Sequence, residues 1–268
     1  MADARMKTKL FAGVDMEMPL TVTPGTGNAS VITRPRPGRT SPNEDAAAVI
    51  PGSDGCCVLA VADGLGGLPA GDAAARTVLQ CLADRLEGVD AVAQREAMLT
   101  ALEQANAAIL SGGQGGATTV AVAAIDGNTV RTAIAGDSMI VVCGQRGRVK
   151  YQSVPHSPIG YAEASGMLNE DEAMFHRERH LVSNMVGQNG MHVEVGPLIR
   201  LAPRDTVILG SDGLFDNLYI GEIVELVRCG PLDAAARSLQ LACEQRMQPG
   251  SVKRPHKPDD LTFILYRL

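Results

Sequence analysis

Val61-Ala62-Asp63-Gly64-Leu65-Gly66-Gly67, written VADGLGG, ends an apolar run that begins at Cys56 and has the length of a buried β-strand. Asp63 therefore stands where a core strand reaches the surface. An ionised carboxylate in that position needs water or a cation. The glycines behind it let backbone carbonyls approach the same partner, because they carry no Cβ. The stretch predicts a strand that surfaces at a cation site, and the other ligands should lie at the ends of other strands.

The neighbouring sequence supplies the strands. Ala46 to Ile50 and Cys56 to Ala62 are two β-like runs separated by Pro51-Gly52-Ser53-Asp54-Gly55, a turn cluster that predicts antiparallel neighbours. Before them, residues 21–42 are rich in Gly, Pro, Ser, Thr and Arg and read as strands joined by turns, with Asn28 to Thr33 the clearest. From Ala70 the period changes. Ala74, Val78, Leu82 and Leu86 recur every four residues, with Asp72 placed to cap, and Met98, Leu102, Ala105 and Ile109 form a second stripe ending at Gly112-Gly113. These are two amphipathic helices for one sheet face. Ala117 to Ile125, Thr129 to Ala135 and Met139 to Cys143 then read as a meander of short strands, divided by Asp126-Gly127-Asn128 and Gly136-Asp137-Ser138. Residues 151–190 form a polar excursion with a short helical piece near Glu170 to Phe175. Strands return at Val193 to Val195, Thr206 to Leu209 and Leu261 to Tyr266, and helices at Ile220 to Val227 and Leu232 to Cys243. Helix pairs between blocks of strands predict an α+β fold with helices covering stacked sheets. No repeat or boundary divides the chain, so one domain over residues 1–268 is expected.

Composition narrows the function classes. A net charge of -6 over 268 residues argues against a nucleic-acid surface. The six cysteines, Cys56, Cys57, Cys81, Cys143, Cys229 and Cys243, lie in apolar segments without zinc-site spacing and read as reduced core residues. The vicinal pair Cys56-Cys57 would point to opposite faces of its strand. The amino terminus has no long apolar stretch of the secretory kind, and no run approaches membrane-spanning length. A soluble, cytoplasmic protein without membrane partners is expected.

Further carboxylates share the position of Asp63 at strand ends or in tight turns between strands. They are Glu44-Asp45 in SPNEDAAAVI, Asp137 in AIAGDSMIVV, Asp212 in VILGSDGLFD and Asp259-Asp260 in KPDDLTFILY. Oxygen ligands of this kind suit Mg2+ or Mn2+, whereas zinc favours His and Cys. Two such ions, about 3.5 to 4 Å apart, would share Asp63 and acidify a bridging water. Any single Asp-Gly is more simply a surface turn, and Asp126-Gly127 is read as one. The joint order of DGLGG, AGDS, SDGLFD and DDLT is what points to a metal centre. His176 and His180 stand four apart, but their Arg-rich surroundings argue against a separate metal site.

From about Asn28 onward the chain resembles the metal-dependent protein phosphatases of the PPM (type 2C) family, of the bacterial kind. The resemblance rests on RTSPNEDA, VADGLGG followed by PAGDAAA, GGATTVAVA, AGDS, SDGLFDNL and DDLT. It implies a four-layer α-β-β-α sandwich of two antiparallel sheets flanked by helices, with a flap at about residues 151–190. It also implies hydrolysis of phosphoserine and phosphothreonine in protein substrates, opposing a serine/threonine kinase, by a metal-bridging hydroxide without a covalent phosphoenzyme. Two Mn2+ or Mg2+ ions and a third, weaker one are implied as cofactors. Carried over by position, Asp63 resembles the bridging carboxylate and Gly64 the carbonyl ligand, with Glu44 completing one site. Asp212 and Asp259 would hold the other ion, Asp45 would orient water, and Asp137 with Asp212 would form the third site. Asp260 stands where many relatives have Asn. The family's phosphate-gripping arginine falls at Thr40 by strict spacing, so the role passes to Arg39, with Arg36 and Arg34 as alternatives. Leu65 replaces the histidine that animal members carry as a proposed acid. The rival expectation is a catalytically weak PPM-like scaffold that binds partners or a small effector, and it predicts lost metal ligands.

Overall fold

The computed structural model describes residues 6–38, 42–66, 70–248 and 254–268. Along the chain the described elements are β1 (Lys9–Ala12), β2 (Leu20–Val22), β3 (Asn28–Arg34), β4 (Asp45–Pro51), β5 (Cys57–Asp63), α1 (Gly71–Leu86) and α2 (Ala91–Gly112). Then come β6 (Val120–Asp126), β7 (Thr129–Ala135), β8 (Met139–Cys143), β9 (Val149–Gln152), α3 (Pro158–Ala164) and α4 (Glu170–Met174). The remainder is β10 (Glu194–Arg200), β11 (Thr206–Gly210), α5 (Asp212–Phe215), α6 (Ile220–Val227), α7 (Leu232–Met247) and β12 (Leu261–Arg267). No helix among these residues is long and apolar enough to cross a membrane.

The strands form two antiparallel sheets, ordered β1-β4-β5-β6-β7-β10 and β2-β3-β12-β11-β8-β9. Period-two alternation explains how both faces are buried. In β4 and β5, Ala46, Ala48, Ile50, Val58 and Ala60 pack under α1 and α2, as the two helical stripes require. The intervening Ala47, Val49, Leu59 and Val61 meet Val207, Leu209, Ile264 and Tyr266 of the second sheet. That sheet turns Val141, Ile208, Phe263 and Leu265 to α5, α6 and α7. Four layers result, α-β-β-α.

Four local expectations change. Met139 to Cys143 does not continue a meander from β7. β8 pairs with β11 and β9 in the second sheet, so the Gly136-Asp137-Ser138 turn carries the chain from one sheet to the other. Asp72 does not cap α1. The N-cap is Ala70 at φ 62, and Asp72 sits in the first turn, where its charge faces the positive helix end. Cys229 is exposed rather than part of the core, although all six cysteines are free as expected. The polar excursion also holds more structure than expected, since β9 ends in it and α3 follows, started by Ser157 as N-cap and Pro158 at the first turn. The Gly112-Gly113 stop of α2 is as read, with Gly113 left-handed at φ 65.

Candidate active site

β4 and β5 pair in a register that places Asp45 opposite Asp63 at one end of the first sheet. Both residues share the strand face of Ala47 and Val61, so both turn toward the second sheet. Across that gap, Ser211 donates its hydroxyl to Asp45 Oδ2 at 2.7 Å, and Asp212 follows directly at the end of β11. Asp259 and Asp260 precede β12, the strand paired with β11. Asp137 arrives on the turn between sheets. Every expected carboxylate therefore comes to the same end of the sandwich, from segments far apart in sequence. Glu44, Asp63, Gly64, Asp137, Asp212, Asp259 and Asp260 line one cleft of about 390 Å³, which Arg36, Leu65, His180 and Lys257 share. Asp45 lies behind it, 2 % exposed.

Backbone geometry explains the glycine after Asp63. A Cβ at Gly64 would stand 2.5 Å from the carbonyl of Gly71 at the start of α1 and 2.8 Å from the Glu44 carbonyl oxygen. Only glycine admits that approach. The Thr119 amide and the Thr118 hydroxyl both donate to the Asp63 carbonyl at 2.8 Å, fixing the strand end. At the crossover turn Gly136 adopts φ 115, and a Cβ there would strike the Thr119 side chain at 2.4 Å.

The carboxylates repel one another. Burial, then Asp260, holds Asp45 well above the usual carboxylate range, and burial, then Asp45, does the same to Asp63. Burial and Asp212 push Asp137 up to about 8, against the pull of Lys257. Asp259 rises to about 6 through burial and Asp212, again opposed by Lys257. Shifts in this direction mean that the fold resists full ionisation of the cluster, a cost that cations relieve. With an all-oxygen donor set, the residues fit hard divalent ions.

One cation is already present in the chain itself. Lys257 Nζ bonds Asp212 Oδ2 and lies 3.0 Å from Asp216 Oδ2 and 3.4 Å from Asp259 Oδ2. Burial alone would lower this ammonium, but Asp212, Asp216 and Asp259 raise it. Among the described residues no three carboxylate, imidazole or thiol groups converge as they would around a metal ion. Lys257 and Asp216 were missed in the sequence. The available signal was a lysine two residues ahead of the Asp259-Asp260 pair.

Asp260 serves the loop ahead of β4. Its Oδ1 accepts from the Arg36 amide at 2.8 Å and its Oδ2 from the Glu44 amide at 2.7 Å. Arg39, expected to grip phosphate, lies outside the described residues. Of the two alternatives, Arg36 lines the cleft, whereas Arg34 is committed to Glu244 at 2.6 Å and to Asp15 at 3.6 Å. His180, from the excursion over residues 151–190, also lines the cleft, although no helix carries it with His176.

A family model described as Protein phosphatase 2C matches residues 37–240. A rice protein named putative protein phosphatase 2C 23 is 32% identical over 132 residues, 49% of this chain and 36% of that protein, so the match spans about a third of the rice sequence. Serine/threonine phosphatase stp of Listeria innocua is 26% identical over 197 residues, covering 69% of this chain and 77% of that protein. Among solved structures, the S. agalactiae serine/threonine phosphatase superposes with a TM-score of 0.76 at 26% identity, covering 90% of this chain and 98% of the other. The catalytic domain of the serine threonine protein phosphatase PstP, in complex with 2 manganese ions, shares the fold with a TM-score of 0.69 at 22% identity, over 89% and 96% of the two chains. With its family match over most of the chain, its two six-stranded sheets and its acidic cleft, this chain belongs to the protein phosphatase 2C family.

Proposed function

We propose that the chain hydrolyses phosphate monoesters on serine or threonine of protein substrates, with divalent metal ions as cofactors. The observation that carries this reading is that Glu44, Asp63, Asp137, Asp212 and Asp259 all line one cleft at the end of the sandwich. Phosphatases named in the comparisons, one of them holding manganese, support it. Glu44, Asp63 and the Gly64 carbonyl would hold one ion, Asp63, Asp212 and Asp259 the second, and Asp137 with Asp212 a weaker third. Bound there, such ions supply Lewis-acid charge and the lowered water pKa that makes a hydroxide nucleophile at neutral pH.

The chain's own residues do the rest. Asp63 ties the two halves of the donor set together, and Asp45, held by Ser211, faces the same gap and would orient water. Arg39, or Arg36 at the cleft wall, would bind the phosphate oxygens, for which a guanidinium fork is suited. The reaction forms one bond from a water oxygen to phosphorus and breaks the bond from phosphorus to the serine or threonine oxygen, which leaves and takes up a proton. Leu65 offers no proton at that point. No covalent phosphoenzyme is required. The scaffold alternative predicts missing carboxylates, and all of them are retained.

The test is hydrolysis of phosphopeptides, free phosphoserine and an aryl phosphate with and without Mn2+. Phosphopeptide turnover that requires Mn2+ is expected, falling by about a hundredfold to a thousandfold in Asp63→Asn, the scale on which loss of one electrostatic catalytic group is felt. A folded Asp63→Asn with near-normal Mn2+-dependent turnover would refute the bridging assignment.

A further inference from the structure

The ammonium of Lys257 lies among Asp212, Asp216 and Asp259, two of which are the proposed ligands of one metal ion. Its root is fixed rather than loose. Asn217 Oδ1 accepts from the Lys257 amide and Asn217 Nδ2 donates to the Lys257 carbonyl, each at 2.8 Å. Asn217 is in turn anchored, since its side chain also donates to the Gly213 carbonyl at 2.9 Å and its carbonyl accepts from Arg246 Nη1 at 2.8 Å. Arg246, almost fully buried, is completed by Glu222 at 2.8 Å. The fold thus delivers a positive charge to the acidic cleft and holds the backbone beneath it.

We propose that Lys257 is an internal counter-cation of the Asp212–Asp259 half of the cleft, and that a divalent ion binds there by displacing its ammonium. The inference rests on the metal-dependent reading above. An ammonium in contact with Asp212 and near Asp259 occupies the charge that a metal would meet, and two cations cannot share those oxygens without strong repulsion. The arrangement also accounts for carboxylates that engage Lys257 instead of converging on a common point. Lys257 in this way sets how tightly the cleft takes its ion, and it keeps the metal-free cluster from repelling itself apart.

The experiment uses the full chain stripped of metal, titrated with MnCl2 by calorimetry, with melting temperatures measured with and without Mn2+. Lys257→Met keeps the length of the stem and removes the charge, Lys257→Gln is a second neutral replacement, and Lys257→Arg retains the charge. Both neutral variants should bind Mn2+ about tenfold tighter than wild type, or more, because a nearby like charge has gone. Without metal they should melt lower, since buried carboxylates have lost their partner, and Mn2+ should restore them fully. Lys257→Arg should bind Mn2+ within about threefold of wild type, its charge being retained. A purely structural ion pair would lower melting with and without Mn2+ and leave Mn2+ affinity unchanged. Equal or weaker Mn2+ binding by both neutral variants overturns the inference alone. Absence of Mn2+ binding in every protein, wild type included, overturns the metal-dependent reading and this inference with it.

Discussion

Asp260 holds two backbone amides of the loop ahead of β4, at Arg36 and at Glu44, and so ties a strand end of the second sheet to the start of a strand in the first. Asp260→Ala leaves both amides to find water, at a cost of about 1 to 3 kcal/mol for each one left buried and unpaired. Denaturant unfolding should show that loss, and KM for a phosphopeptide should rise because the loop that carries the arginines proposed to bind phosphate is no longer clamped. A normal KM in a destabilised protein would separate the clamp from substrate binding. Asp63, Asp137, Asp212, Asp259 and Asp260 were legible in the sequence because each interrupts or borders an apolar run, where a charge needs a reason. Lys257 was not. A lysine in a polar segment reads as surface, and two of the three carboxylates around it, Asp212 and Asp216, come from the distant start and C-cap of α5, with only Asp259 near in sequence.

At the scale of elements, the excursion over residues 151–190 is held by His156, which is fully buried between the crossover turn and residues 183–194. Its amide donates to the Gly136 carbonyl at 2.9 Å, its carbonyl accepts from Ser183 at 2.8 Å, and its Nδ1 lies 2.8 Å from Asn184 Nδ2. Nε2 faces Glu194 at 3.3 Å, and the ring stacks on His192. Burial lowers the His156 imidazole from its ordinary 6.5, with Glu194 opposing the shift. A depressed imidazole contributes stability above its unfolded value of 6.5 that is lost as pH falls toward the folded value. Melting temperature should therefore decline more steeply below that pH in wild type than in His156→Gln, and limited proteolysis within 157–183 should quicken in parallel. Identical pH slopes would remove His156 from the coupling. The long apolar strands and both helix stripes were readable because period and length agree. The crossover at 136–138 was not, since the same Gly-Asp-Ser turn serves a hairpin or a change of sheet, and packing decides between them. β1 and β2 are short edge strands with half-exposed patterns, too weak to stand out.

For the whole molecule, layered burial gives the scaffold and charge repulsion gives the tension at one end of it. Ions that bind only the folded cleft add RT ln(1 + [L]/Kd) to stability, about 2.7 kcal/mol per site at about a hundred times Kd. Mn2+ should raise the melting temperature in a dose-dependent way and a chelator should reverse it, with Asp63→Asn losing most of the response while its metal-free melting is unchanged or higher. No Mn2+-dependent shift in wild type would count against the cluster as a metal centre. The sequence alone pointed to stacked sheets under helices, but not to strand order, because antiparallel partners distant in sequence leave no local mark. The place of β12 is the clearest instance: it lies between β3 and β11, in the middle of the second sheet, and brings Asp259 and Asp260 with it. During synthesis, a nascent chain that has not yet reached β12 lacks the strand that joins β3 to β11 and two carboxylates of the cleft. Under the proposed function, metal-dependent turnover would then be withheld from every incomplete chain, a stalled ribosome product or a fragment truncated before residue 259 included.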